Sequence, residues 1–210
     1  MKHLRLYESI NIKSIILNCQ IYGIKNYNIN KDGSIDVDGD VDMTDIDFEG
    51  HDGFPLNFRN ISGRFISHHN RLTSLSGGPK YVGEDFSCSY NRLASLEGAP
   101  KSVGGNFNCQ NNLLTSLEGC PKSVGGAFTC RHNRIATFEH LPYSIGGNFY
   151  CVDNPIWEIW NLFYDYSKIE FLNDCDAIRE PNIIVLDRLN FFLEEIGKKP
   201  VYYVKGYDCI

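Results

Sequence analysis

A chain of 210 residues can form one domain, or a repeat array with small flanking units. Its apolar fraction of 42% and charged fraction of 22% place it among soluble globular proteins. The formal net charge of −6 argues against a nucleic-acid partner, which needs a basic face.

Residues 1–38 read as an N-terminal cap made of a helix and a β-hairpin. Glu8 to Ile21 carries a helical pattern, with Ile12, Ile15, Ile16 and Cys19 on one face. The apolar run Ile15-Ile16-Leu17 is broken by Asn18 and Gln20, well short of the roughly 20 residues that a membrane span requires. No apolar core followed by a small-residue cleavage site is present, so no membrane association is expected, and a cytoplasmic location is. Tyr27–Asn30, the turn Lys31-Asp32-Gly33 and Ser34–Val37 predict a hairpin. The same segment offers Asn28, Asn30, Asp32 and Asp36 at alternate positions, with Gly33 sixth, similar to the start of an EF-hand calcium loop. Its first ligand is Asn, and Gly39 stands where a bidentate Glu belongs. A plain hairpin turn explains these residues without a metal, so no cofactor is expected.

Residues 39–155 are repetitive. Val37-Asp-Gly-Asp-Val41-Asp-Met43 is an atypical first rung, 24 residues ahead of the regular series. Phe65, Phe86, Phe107, Phe128 and Phe149 then recur every 21 residues without an insertion. Asn70, Asn91, Asn112, Asn133 and Asn154 keep the same step, as do Leu72, Leu93, Leu114, Ile135 and Ile156. Phe-x-Cys alternates with polar residues, the period of a strand, so Phe and Cys88, Cys109, Cys130 and Cys151 face inward. A straight column of thiols does not converge on a tetrahedral metal, and these cysteines read as small core residues. The buried Asn amides would satisfy backbone groups where the chain turns away from the sheet. The Gly-Gly pair before each Phe is expected to supply unusual backbone angles.

Residues 156–210 read as a mainly helical C-terminal cap. Trp157, Trp160, Phe163 and Tyr164 recur at helical spacing. So do Ile183, Leu186, Leu189, Phe192 and Leu193, in a helix beginning after Pro181. Val201–Val204 is expected as a final strand, and no polar-lined pocket is expected on this cap.

The unit Val103-Gly-Gly-Asn-Phe107-Asn-Cys109-Gln-Asn-Asn112-Leu-Leu114-Thr-Ser-Leu117 resembles a leucine-rich repeat, with Phe and Cys in two leucine positions. The Leu-Thr-Ser-Leu tail and Pro121 are most similar to the short bacterial subtype found in secreted effectors. The Gly-Gly-x-Phe-x-Cys wording is similar to small repeat proteins of tailed bacteriophages. The resemblance implies an α+β leucine-rich-repeat solenoid with a parallel sheet on its concave face. The effectors' catalytic ubiquitin-ligase domain has no counterpart in the 55 residues after the repeats.

No nucleophile–base–acid constellation is visible, and the chain reads as a non-enzymatic binding module. The candidate partner-binding residues are the outward columns. These are Ile66, Ser87, Asn108, Thr129 and Tyr150; His68, Ser89, Gln110, Arg131 and Val152; and Tyr90, Asn111, His132 and Asp153. They vary between rungs where inward columns do not, and Tyr90, Arg131, His132 and Tyr150 are the expected hot spots by residue type. His132 is placed to pair with Asp153. The columns Lys80, Lys101, Lys122 and Glu97, Glu118, Glu139 are expected to neutralise one another. The phage resemblance implies a host bacterial protein as partner. The alternative is a structural or calcium-dependent virion component, and an open sheet edge would permit a homodimer.

Overall fold

The computed structural model describes residues 11–46, 48, 53–179 and 182–210. Among these the chain is α+β, with stacked parallel strands in two sheets, a small third sheet and four α-helices. No helix among the described residues is long and apolar enough to cross a membrane.

Each 21-residue unit contributes two short strands, where a single one was expected. Ser102–Val103 and Phe107–Asn108 illustrate the pair. The first sheet has seven strands, from the hairpin strand Tyr27–Ile29 to Ser144–Ile145. The second has six, from Val41–Asp42 to Phe149–Tyr150. Within these two sheets every pairing among the described residues is parallel except the hairpin, where Tyr27 faces Val37 and Ile29 faces Ile35. Val41 pairs with Phe65, so the atypical rung is in register with the regular ones.

The two sheets arise because one extended segment bends at Gly104-Gly105. The reason for glycine differs from the expected one. None of the paired glycines from Gly83 to Gly147 has a positive φ. Instead, a Cβ on Gly104 would lie 2.0 Å from the Gly83 carbonyl oxygen, and Gly125 and Gly146 meet the preceding glycine oxygen at 2.1 Å. Successive backbones therefore approach too closely for any side chain at this bend.

Between the sheets lies an aromatic column. Phe86 and Phe107 stack at 5.3 Å and 10°, and Phe107 and Phe128 at 5.1 Å and 23°. Each buried ring contributes about 1.5–3 kcal/mol of transfer free energy before entropy is subtracted. Cys88, Cys109, Cys130 and Cys151 are fully buried beside the rings, and all are free thiols. The Asn column joins the rungs. Asn112 Oδ1 accepts from the Leu93 N–H at 3.0 Å, and its Nδ2 donates to the carbonyls of Cys88 at 3.0 Å and Cys109 at 3.1 Å. Asn91, Asn133 and Asn154 repeat this arrangement.

Both ends of the column close with rings turned edge-on. Phe54 meets Phe65 at 5.1 Å and 88°, and Trp160 meets Phe149 at 5.2 Å and 90°. At the N-terminal end, helix α1 (Ile12–Ile21) begins at Asn11, whose side chain accepts from the Ser14 N–H. Glu8 to Ile10 of the expected helix lie outside the described residues. The face that α1 buries holds Cys19 with half-buried Ile15 and Tyr22. Ile12 and Ile16, expected on that face, are 40% and 38% exposed.

The C-terminal cap holds α2 (Trp157–Phe163), α3 (Ile169–Asp174) and α4 (Leu186–Glu195). Ile183 belongs to a strand, Ile183–Ile184, rather than to the helix that follows; Pro181 lies outside the described residues. The final strand is Asp208–Cys209, parallel to it, where Val201–Val204 was expected. Val201 is instead held by Asn190 of α4 through two hydrogen bonds. Tyr207 fastens the cap to the repeats, its buried hydroxyl donating to the Ala136 carbonyl at 2.5 Å.

Asn112→Ala removes a side chain that serves backbone groups of two rungs. It should lower the unfolding free energy by about 1–3 kcal/mol in a urea titration. Gly104→Ala should cost at least as much, about 1–3 kcal/mol or more, because its methyl meets backbone that cannot yield.

Candidate binding face

The second sheet turns Phe and Cys inward and presents the residues between them on its other side. Ile66, Asn108, Thr129 and Tyr150 form one half-buried column there, with His68, Gln110, Arg131 and Val152 beside it. Ser87 and Ser89 occupy the same columns but are only 5% and 1% exposed, which removes them from an accessible contact surface. The cause is local. Two small side chains on one rung leave a depression, and His68 of the preceding rung fills it. Its Nδ1 lies 2.5 Å from Ser89 Oγ and 3.1 Å from Ser87 Oγ. Burial pushes the His68 imidazole below its ordinary value, and the charge of His69 adds to this, against the pull of Asp42 and Asp45. The imidazole and the two hydroxyls form one hydrogen-bonded cluster.

One residue before the inward Phe, Asp85 and Asn106 use their side-chain oxygens on the backbone N–H of the following rung, at 2.7 and 2.8 Å.

The third column lies past the strand, in a turn. His69, Tyr90, Asn111, His132 and Asp153 all have φ between 53° and 59°. This left-handed conformation costs a non-glycine residue about 1–2 kcal/mol. It turns the chain so that the next residue, the column Asn, points inward. Asn, Asp and His are the types that tolerate it best, which was the available signal in the sequence; Tyr90 is the least suited. His69, Tyr90, His132 and Asp153 are exposed and Asn111 half-buried. His69 and Tyr90 stack at 4.6 Å and 21°. His132 Nδ1 lies 3.1 Å from the Asp153 carboxylate, the pairing that the spacing predicts.

The charged columns elsewhere do not pair as expected. Lys80, Lys101, Lys122, Glu97, Glu118 and Glu139 are all exposed, and no ion pair joins the two sets.

The hairpin residues with calcium-like spacing are engaged with the protein. Asp32 accepts from both the N–H and the hydroxyl of Ser34, at 3.0 and 2.6 Å. Asn30 donates to Ser34 Oγ and Asp36, and the Arg59 guanidinium binds the Asp36 carboxylate. Asn28 pairs across the hairpin with Asp36. Among the described residues no group of three or more His, Cys, Asp or Glu is gathered to hold a metal.

A cleft of about 600 Å³ lies where no pocket was expected, between the loops of the last two repeats and α3. Phe138, Leu141 and Ile169 supply its apolar wall, and Lys122, Glu170 and Asp174 its charged lining. Two of its lining side chains, Cys120 and Tyr166, are committed to backbone carbonyls. Cys120 Sγ donates to the His140 carbonyl at 2.8 Å and burial raises its thiol to about 12. Tyr166 donates to the Pro142 carbonyl and is likewise raised to about 12.

Comparison with known proteins returns no matching family model, curated protein or solved structure.

Burial raises Cys88 and Cys151 to about 12, and Cys109 and Cys130 well above the ordinary thiol value. These four should remain unmodified by iodoacetamide at pH 8 in the native protein, and react on addition of guanidinium, as read by mass spectrometry. The carboxyls of Asp36 and Asp40 are held below their ordinary value, chiefly by hydrogen bonds from Arg59 and Arg64. Their contribution to stability is present above the usual carboxylate range and lost as pH falls through the lower folded value. Asp36→Asn should therefore flatten the acid side of the stability–pH profile, and calcium chloride should leave the wild-type melting temperature unmoved.

Proposed function

We propose that the stack is a leucine-rich-repeat solenoid that binds a protein on the outward face of its second sheet and carries out no chemistry. The observation that supports this most is the contrast between the two sides of the same strands. Inward positions repeat one residue type from rung to rung. Outward positions pass from Ile66 to Asn108, Thr129 and Tyr150, and from His68 to Gln110, Arg131 and Val152. Core packing does not call for such variety, and recognition of an irregular surface does.

The left-handed column adds to this reading. Glycine would occupy those positions at less cost, yet five successive rungs carry a side chain there. Strain retained at exposed positions is a mark of sites kept for contact. By analogy with the tailed-phage proteins that the repeat resembles, the partner is a host bacterial protein in the host cytoplasm, and binding inhibits it, as for a defence component.

Tyr90→Gly separates binding from folding, because it deletes a ring and relieves a left-handed residue together. Affinity capture from bacterial lysate with the full chain should recover a protein that Tyr90→Gly and Tyr150→Ala bind at least about tenfold more weakly. Tyr90→Gly should keep its unfolding midpoint. Equal capture by wild type, Tyr90→Gly, Arg131→Ala and Tyr150→Ala would overturn the assignment of this face.

A further inference from the structure

The turn that closes each repeat is built alike three times and differently the fourth. Gly77, Gly98 and Gly119 hold one position of it, with φ of 81°, 90° and 85°. A Cβ at Gly77 would lie 2.5 Å from the Leu56 oxygen, and one at Gly98 2.7 Å from the Leu75 oxygen. His140 takes the fourth position and keeps a left-handed φ of 61°. The N–H groups of Gly78, Ala99 and Cys120 close the turn on the carbonyls of Leu75, Leu96 and Leu117, at 2.9, 2.9 and 3.0 Å. Leu141 makes no such bond, and the His140 carbonyl accepts from Cys120 Sγ at 2.8 Å instead. A third column also changes here, with Tyr143 following Lys80, Lys101 and Lys122. His140, Leu141 and Tyr143 all line the cleft of about 600 Å³ beside α3.

Packing against the cap accounts for Leu141, which is half-buried, but not for the other two. His140 is exposed, and Tyr143 has 86% of its surface in solvent. A strained histidine at a cavity, where glycine costs less, is the kind of departure that ligand-holding sites retain. The charges around the cleft state what would fit. Lys122 stands on the repeat side, and Glu170 and Asp174 stand one turn apart on α3. All three are exposed, and among the described residues none has an ion-pair or side-chain hydrogen-bond partner. Opposite charges thus line one cleft yet stay beyond ion-pair distance of each other. A purely cationic ligand would meet Lys122, and a purely anionic one would meet two carboxylates. A molecule with an ammonium at one end and a carboxylate at the other suits both sides.

We infer that this cleft binds a short apolar peptide with free termini. Its ammonium lies toward Glu170 and Asp174, its carboxylate toward Lys122, and its side chains against Phe138, Leu141 and Ile169. His140 and Tyr143 complete the repeat wall. The volume falls within the range of about 300–1,000 Å³ over which protein sites enclose small ligands. The apolar wall gives the ligand's side chains surface to cover, and the charged termini fix its direction. The site is separate from the outward face of the second sheet and does not rest on that face being a contact surface.

The test uses the full ¹⁵N-labelled chain, with backbone amides assigned by triple-resonance spectra. The probes are the tripeptide Ala-Leu-Leu, its N-acetylated form and its C-terminal amide. The free tripeptide should move the amide signals of His140, Leu141 and Asn173 saturably, and each blocked form should bind at least about tenfold more weakly. This comparison needs no variant to fold. Glu170→Gln combined with Asp174→Asn should bind the free and acetylated forms alike, and Lys122→Met the free and amidated forms alike. His140→Gly restores the residue of its column, so it should keep the unfolding midpoint and bind more weakly. Equal binding of free and blocked forms by the wild type would overturn the inference. So would the lack of a saturable response at these amides up to about 10 mM peptide, or binding undiminished in all three variants.

Discussion

Each column of this protein must tolerate a copy of itself one strand spacing away, about 4.8 Å. Few groups satisfy that condition in a dry interior. Aromatic rings do, by stacking face to face, as Phe86, Phe107 and Phe128 do. A primary amide does, because it both donates and accepts, so that Asn112 can serve carbonyls of its own rung and the rung before. Small thiols do by occupying little room. Where backbones come closest, only the absence of a side chain satisfies it, as at Gly104. A charge does not satisfy it, and the Lys and Glu columns accordingly lie in solvent.

This condition explains how much of the structure can be read from the sequence. Self-compatibility leaves the same residue at the same step, so the Phe, Asn and Leu columns and their inward direction are visible as a register. The bend into two sheets is not visible, because a glycine kept for close approach and a glycine kept for a positive φ are the same letter. The caps are read less well for the same reason. They do not repeat, so nothing in the chain distinguishes Ile183 as the end of a strand from Ile183 as the start of a helix. Their edge-on rings, Phe54 and Trp160, break the column's geometry, and single rings at irregular spacing leave no pattern.

The candidate face divides in the same way. Its columns follow from strand alternation, and the His132–Asp153 pair follows from the step between rungs. The burial of Ser87 and Ser89 does not follow, because it depends on the size of His68 relative to two small neighbours. Depressions and protrusions on such a face are set by volume differences between adjacent rungs, which no column shows by itself.

The hydrogen bond from Tyr207 to Ala136 joins residues 71 positions apart, whereas most contacts in the repeats join residues one unit apart. Neighbouring rungs close short loops and can nucleate wherever two of them meet. The tyrosine must wait until the last rungs are built and nearly the whole cap has been threaded past them. Assembly therefore has a direction at this end that the repeats themselves lack. Tyr207 acts as the latch that holds the cap against the stack.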